Sequence, residues 1–262
     1  MELLRHNPDL AAVILAAGKG TRMKSELPKV LHTLGGRPLL AWCLETVRAL
    51  APGRIVVVVG HQAQRVERAF AGQDDLTFVL QEPQLGTGHA LMAAAPELAA
   101  WQGPVLILCG DVPGLRPTTL QHLLHHHRRR GEALTVLGME PPEPAHYGRL
   151  ITSAGGMLER IVEYRDATPE QRRLRLVNAG VYAARTQPLL ATLPRLRPDN
   201  DQGEYYLTDL VELLRRQGLA VGYTVCQDPA EVAGVNRPEE LAALERRLGR
   251  DPRSGETPLS DC

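Results

Sequence analysis

The chain has 262 residues, 44% of them hydrophobic and 23% charged, with Lys+Arg and Asp+Glu both 30. That balance creates no global field for nucleic acid or a membrane surface, so an anionic ligand must be met by local charge. The longest apolar runs, such as Ile55 to Val59, are strand-sized and far too short to span a bilayer. In chain order, Ala11 to Ala16 reads as a buried strand running into a glycine-rich loop. Pro38 to Leu50 carries Leu39, Leu40, Leu44 and Val47 at helical spacing. Ile55 to Val59 is a second strand, followed by a short helix near Gln62 to Phe70 and a strand at Leu76 to Leu80. His89 to Leu98 reads as helix, Val105 to Leu108 as strand and Pro117 to Arg130 as helix, stopped by Gly131. Uninterrupted apolar strands alternating with helices predict a mostly parallel α/β sheet covered on both faces.

After about Ala133 the pattern changes. Leu134 to Met139, Arg149 to Thr152, Met157 to Glu163 and Leu176 to Ala183 read as strands and predict a smaller, antiparallel-rich lobe forming one wall of a cleft. Tyr206 to Arg216 returns to helix, Ala220 to Val225 to strand, and Pro238 to Leu248 to a final helix. The expected organisation is one domain over 1–250: a Rossmann-like part at about 11–132, a second part at about 133–235 and a C-terminal helix at 236–250. The polar stretch 251–262 is expected to be disordered. The run His125 to Arg130 sits at a helix C-terminus before a glycine, where cations complement the free carbonyls; this reads as structural. Cys43, Cys109, Cys226 and Cys262 form no C-x-x-C pair, and the N-terminal stretch MELLRHNPDL has no signal-peptide core. Both point to a reducing, cytoplasmic setting.

The stretch LAAGKGTRM, followed by LPKVLH, concentrates two glycines and Arg22, Lys24 and Lys29 directly after a strand. Met23 takes the place of the third glycine of a Rossmann turn and of the second glycine of a P-loop, so neither motif fits. A plain strand–helix turn would account for the glycines but not for the clustered cations. A phosphate nest would account for both: amides of Gly18 to Thr21 facing a triphosphate, with Arg22 and Lys29 adding charge.

These residues resemble the sugar-nucleotide pyrophosphorylases, specifically the uridyltransferase domain of the bacterial N-acetylglucosamine-1-phosphate uridyltransferases. The resemblance runs from about Val13 to about Leu241. It continues in order through Gln81 with Gln84-Leu85-Gly86-Thr87-Gly88-His89, Gly110-Asp111-Val112-Pro113, Tyr147-Gly148-Arg149, Ile161-Val162-Glu163, Asn178-Ala179-Gly180, the stretch Gly203 to Asp209, and Gly234-Val235-Asn236.

The resemblance implies that UTP and N-acetylglucosamine 1-phosphate react to give UDP-N-acetylglucosamine and pyrophosphate. It implies substrate contacts from Leu15, Ala16, Ala17, Gly18, Lys29, Gln81, Gly86, Thr87, Gly110, Gly148, Glu163, Asn178 and Asn236, with Arg22 and Lys29 catalytic. Asp111 and Asn236 would hold Mg²⁺, whose preference for hard oxygen suits them. From the residues alone, Asn236 with Glu239 also reads as a capping box before the last helix. Cys109 and Ala179 depart from the family's usual Tyr and Thr near the sugar. No hexapeptide repeats follow Leu248, so no acetyltransferase β-helix and a monomer or weak dimer are expected. Glucose 1-phosphate or dTTP as substrates, and a non-catalytic sugar-nucleotide sensor, are the competing readings. Neither nucleic-acid nor membrane partners are expected.

Overall fold

Leu10 to Ile14 of β1 (Asn7–Leu15) are buried without exception, because this strand carries a helical layer on each face. The computed structural model describes residues 7–144 and 146–248. Its further strands are β2 (Thr33–Leu34), β3 (Arg37–Pro38), β4 (Pro52–Val59), β5 (Leu76–Leu80), β6 (Pro104–Cys109) and β7 (Leu134–Met139). They continue with β8 (Arg149–Thr152), β9 (Leu158–Val162), β10 (Val177–Arg185) and β11 (Val221–Cys226). The helices are α1 (Leu39–Arg48), α2 (Ala63–Ala69), α3 (Thr87–Leu98), α4 (Pro117–Arg130), α5 (Pro169–Arg172), α6 (Thr186–Thr192), α7 (Leu210–Arg216) and α8 (Pro238–Leu248).

The main sheet runs β11-β7-β10-β6-β1-β4-β5, with β8 paired to β10 and β9 to β8. Alternate residues of β1 serve the two faces. Ala12 and Ile14 join a core with Leu40, Leu44 and Val47 of α1, Val66 of α2 and Leu120 of α4. Ala11 and Val13 join the opposite core with Leu91 of α3, Leu189 of α6 and Leu210 of α7. Each fully buried Leu or Ile contributes on the order of 1.5–3 kcal/mol.

The mostly parallel sheet is therefore as expected, and the antiparallel character after Ala133 has a definite form. β10 lies antiparallel between β6 and β7, and β8 and β9 form a short antiparallel extension beside it. The reversal matters for the site. β1 and β6 run parallel and end together, Leu15 beside Cys109, while β10 starts at that same edge with Val177 and Asn178 beside Met139 and Gly138.

The segment expected as one helix from Tyr206 splits into a 3-10 turn at Leu207–Asp209 and α7. Its start is pinned elsewhere: the Leu207 amide donates to Thr87 Oγ1 at 3.1 Å. α4 ends as expected, with Gly131 at φ 63° donating its amide to the His127 carbonyl. His127 itself is buried, its Nδ1 at 2.9 Å from Thr135 Oγ1, which in turn donates to Glu132 at 2.5 Å. Among the described residues no helix is long and apolar enough to cross a membrane. The expectation for 251–262 falls outside the described residues.

Candidate active site

The loop after β1 is shaped by contacts that place two cations. Gly20 adopts φ +61°, and a Cβ there would lie 2.7 Å from Lys29 Cβ, so the glycine makes room for the lysine stem. Thr21–Met23 form a 3-10 turn that presents Arg22. Met23, the residue that excluded both glycine motifs, is a buried anchor packed with Leu34, Leu39 and Val235. It fastens the loop to the Gly234–Asn236 segment. Lys29 opens a second 3-10 turn, whose next residues Val30 and Leu31 are buried.

Four side chains from three distant parts of the chain meet here. Lys29 Nζ is ion-paired with Asp111 Oδ2 and donates to Asn236 Oδ1 at 3.1 Å. Arg22 donates to the same Asn236 oxygen at 2.8 Å. The Lys29 and Asp111 side chains are only 16% and 11% exposed, so their attraction is less screened than at an open surface. Asp111 follows β6 by two residues, and its carbonyl accepts from the Val235 amide at 2.9 Å.

Asn236 does not cap α8. Pro238 occupies the first helical position, and Glu240 closes the helix end by accepting from the Asn236 and Arg237 amides at 2.6 and 3.1 Å. The capping box read from Asn236 and Glu239 is thus out of phase, and the Asn236 side chain is left for the cluster.

Leu15, Ala16, Ala17 and Gly18 leave the sheet edge beside Gly110. The Gly110 amide donates to the Leu15 carbonyl at 2.9 Å, and the Ala16 amide to the Val58 carbonyl at 2.8 Å. Gly18 differs from Gly20: its φ is ordinary for an L-residue and a Cβ would meet nothing within 4 Å. Beyond Val59, Gln81 is buried, with Nε2 donating to the Gly86 carbonyl at 2.9 Å and lying 3.1 Å from His89 Nδ1. With the His89 proton on Nε2, both amide protons of Gln81 are engaged and its oxygen remains an acceptor. Gly86, at φ +108°, is wedged so that a Cβ would lie 2.7 Å from the Tyr205 carbonyl. That carbonyl accepts from the Gly88 amide, and the Tyr205 amide donates to the Leu85 carbonyl. The hydroxyl of Thr87 accepts from Leu207, so its oxygen braces the loop.

Gly148, Glu163 and Asn178 come together on the side of β8–β10. A Cβ on Gly148 would lie 3.3 Å from both Glu163 carboxylate oxygens. Thr208 donates to Glu163 Oε1 at 3.0 Å. Burial raises the Glu163 pKa above its ordinary value despite the Thr208 bond, and Asp209, Asp166 and Glu204 push it the same way. Asn178 donates to the Tyr182 hydroxyl at 2.6 Å and accepts from the Gly180 amide at 3.0 Å, at a bulge in β10. Cys109 links this cluster to the cationic one. Its sulfur faces Gly180, and burial together with the Asp111 charge pushes its thiol up to about 12, Lys29 opposing. The roles of Thr208, Tyr182 and Glu240 are not visible in the sequence. The Gly203-to-Asp209 motif marks the neighbourhood of Thr208 but not the contact.

A single cation already touches both Asp111 and Asn236, since Lys29 Nζ does so. Two hard oxygens at that spacing fit Mg²⁺, which takes few protein ligands and completes its shell with water and phosphate. Among the described residues no group of three or more His, Cys, Asp or Glu side chains forms a self-sufficient metal site. A cavity of about 630 Å³ between α4 and β11, lined by His122, His125, Arg129 and Arg130, contains none of these site residues.

A mostly parallel sheet that gathers cations, a carboxylate and open backbone at the carboxyl edge of β1 and β6 suits a nucleotidyltransferase. The chain belongs to the family of the MobA-like NTP transferase domain, whose model matches residues 12–194. It is 51% identical over 238 residues to the bifunctional protein GlmU of Geobacter metallireducens, covering 91% of this chain and 50% of that protein. It is 48% identical over 242 residues to the bifunctional protein GlmU of Pelotomaculum thermopropionicum, covering 92% and 52%. The chain thus spans about half the length of the curated relatives it matches. A crystal structure described as a glucose-1-phosphate thymidylyltransferase from Bacillus anthracis, in complex with a sucrose, superposes with a TM-score of 0.72 over 96% of this chain and 98% of that one. At 17% identity that likeness is one of fold.

Proposed function

We propose that this chain joins UTP to N-acetylglucosamine 1-phosphate, releasing pyrophosphate and UDP-N-acetylglucosamine. The observation that carries the reading is the convergence of Arg22 and Lys29 of one loop with Asp111 and Asn236 from two other parts of the chain. In this reading residues 11–132 receive the nucleotide and 133–235 the sugar. The sugar phosphate oxygen is already an anion at neutral pH and attacks the α-phosphorus in line, so no general base is required. What the reaction needs is charge stabilisation and alignment. Lys29 and Arg22 supply it to the departing pyrophosphate, and the amides from Gly18 onward approach the phosphates. Nothing in the protein demands a glycine at position 18, which suits space kept for a ligand. Mg²⁺ held by Asp111 and Asn236 would offset phosphate charge.

Gln81 supports a base with an imide N–H. Its amide protons are committed to Gly86 and His89, leaving an acceptor for the base. Uracil and thymine share that N–H, so dTTP is the competing nucleotide. Glu163 offers its second oxygen to sugar hydroxyls, with Gly148 leaving the approach clear and Asn178 held by Tyr182.

The test is pyrophosphate release with Mg²⁺, crossing UTP, dTTP and GTP with N-acetylglucosamine 1-phosphate and glucose 1-phosphate. Turnover with UTP and the acetamido sugar is expected. Preference for another pair would keep the chemistry and replace the substrates. No turnover from folded protein that binds UDP-sugar would favour a sensor.

A further inference from the structure

We infer that Lys29 also guards the metal position. Without nucleotide, its ammonium stands between Asp111 and Asn236 and bars a divalent ion until a triphosphate draws it away. The inference rests on the metal reading above. Among the described residues, Lys29 Nζ is bonded to Asp111 Oδ2 and Asn236 Oδ1 and to nothing else. Those are the two oxygens that fit Mg²⁺. Arg22 sits on the same Asn236 oxygen. The Asp111 carboxylate and the Asn236 oxygen together therefore already hold two cations, and an arriving divalent ion would meet both at a few ångströms, where like charges repel strongly.

The arrangement is built rather than incidental. The Lys29 stem lies where a side chain on Gly20 would be, and Val30 and Leu31 bury the backbone that follows. The Asn236 oxygen is free for Lys29 because Glu240, and not Asn236, closes α8. The ammonium can leave only for another anion, since releasing it unpaired from a largely buried position is costly. A triphosphate provides that anion: Lys29 exchanges one ion pair for another, and the oxygens are freed as the phosphates arrive. Metal and nucleotide then bind with positive coupling, each strengthening the other by the same factor.

The probe is Mn²⁺, followed by electron paramagnetic resonance of the free ion, with no nucleotide present. Lys29→Met and Lys29→Gln are expected to bind Mn²⁺ on the order of tenfold or more tighter than the wild type. Adding Asp111→Asn to either should abolish the gain. Variants that fold, as judged by circular dichroism, and bind Mn²⁺ no better than wild type would overturn the inference, while leaving the metal reading intact if Asp111→Asn still weakens Mn²⁺ binding with UTP. If Asp111→Asn has no effect on Mn²⁺ binding with UTP, the metal reading falls and this inference with it. Should the Lys29 variants not fold, the ¹⁵N signal of the Lys29 ammonium in the wild type decides. It is expected to shift when UTP is added without metal, and an unmoved signal at saturating UTP would overturn the proposal.

Discussion

Gly18 and Gly20 are two residues apart and predict opposite mutant behaviour. Gly20→Ala forces an L-side chain into the left-handed region and against Lys29 Cβ, so it should lose about 1–2 kcal/mol or more of stability. Gly18→Ala meets nothing within 4 Å in an ordinary conformation; folding stability should hold or rise slightly, while nucleotide affinity falls. Thermal melts beside UTP titrations separate the two. Lys29→Ala or Arg22→Ala should lower turnover by on the order of a hundredfold or more. Unchanged pyrophosphate release in both would remove them from the chemistry. Asp111→Asn keeps the shape and loses the charge, so the Mg²⁺ concentration needed for half-maximal rate should rise. A metal titration superposing on the wild type would contradict its role.

At the level of elements, the join between the α3 entry loop and the turn before α7 is the feature with a direct test. Thr87→Val removes the acceptor of the Leu207 amide, which should cost about 1–3 kcal/mol. Thr208, next in the chain, holds Glu163. The same variant should therefore raise KM for the sugar phosphate more than for UTP; steady-state kinetics with each substrate varied in turn would show it. This join also marks the limit of what the sequence makes legible. Most strands of the main sheet are readable as short apolar runs bounded by turn residues, and α4 because its cap and periodicity agree, whereas β2 and β3, two residues each, carry no run to read. α5 escapes a reading by periodicity because four residues carry none, although Thr168 and Gln171 form a reciprocal capping box. The helix from Tyr206 reads too long because its hydrophobic spacing is helical, while the bond that pins Leu207 comes from 120 residues away. In the site, the identity of the cationic residues is visible in their clustering. Their meeting with Asn236 is not, since it depends on the phase of α8, and Pro238 sets that phase one residue later than Asn236 suggests.

For the molecule as a whole, acid stability has a clear contributor. Burial and the nearby Arg185, Arg128 and His126 hold the His127 ring down to about 4, from an ordinary 6.5. The unfolded chain then takes up a proton first. The stability associated with a neutral His127 is complete above about pH 6.5 and is lost as pH falls towards 4. Asp209 acts in the other direction: burial, with Glu212 and Asp166 nearby, pushes it up to about 6, so its contribution is present at low pH and lost as pH rises through that value. Both proteins in a comparison of wild type with His127→Gln share Asp209. Between pH 7 and 4.5 the melting temperature should therefore drop further for the wild type. The strand order has a consequence of another kind, for synthesis on the ribosome. β6 is complete at Cys109, yet β10, which covers its outer edge, does not begin until Val177. At roughly 5–20 residues per second, the ribosome needs several seconds to close that gap. For that interval the run Val105 to Leu108 is an apolar strand open on one side, a template for pairing with a neighbouring nascent chain. Translation that pauses after α4 should thus favour aggregation, and a chaperone that shields an exposed strand edge would be needed most during that interval.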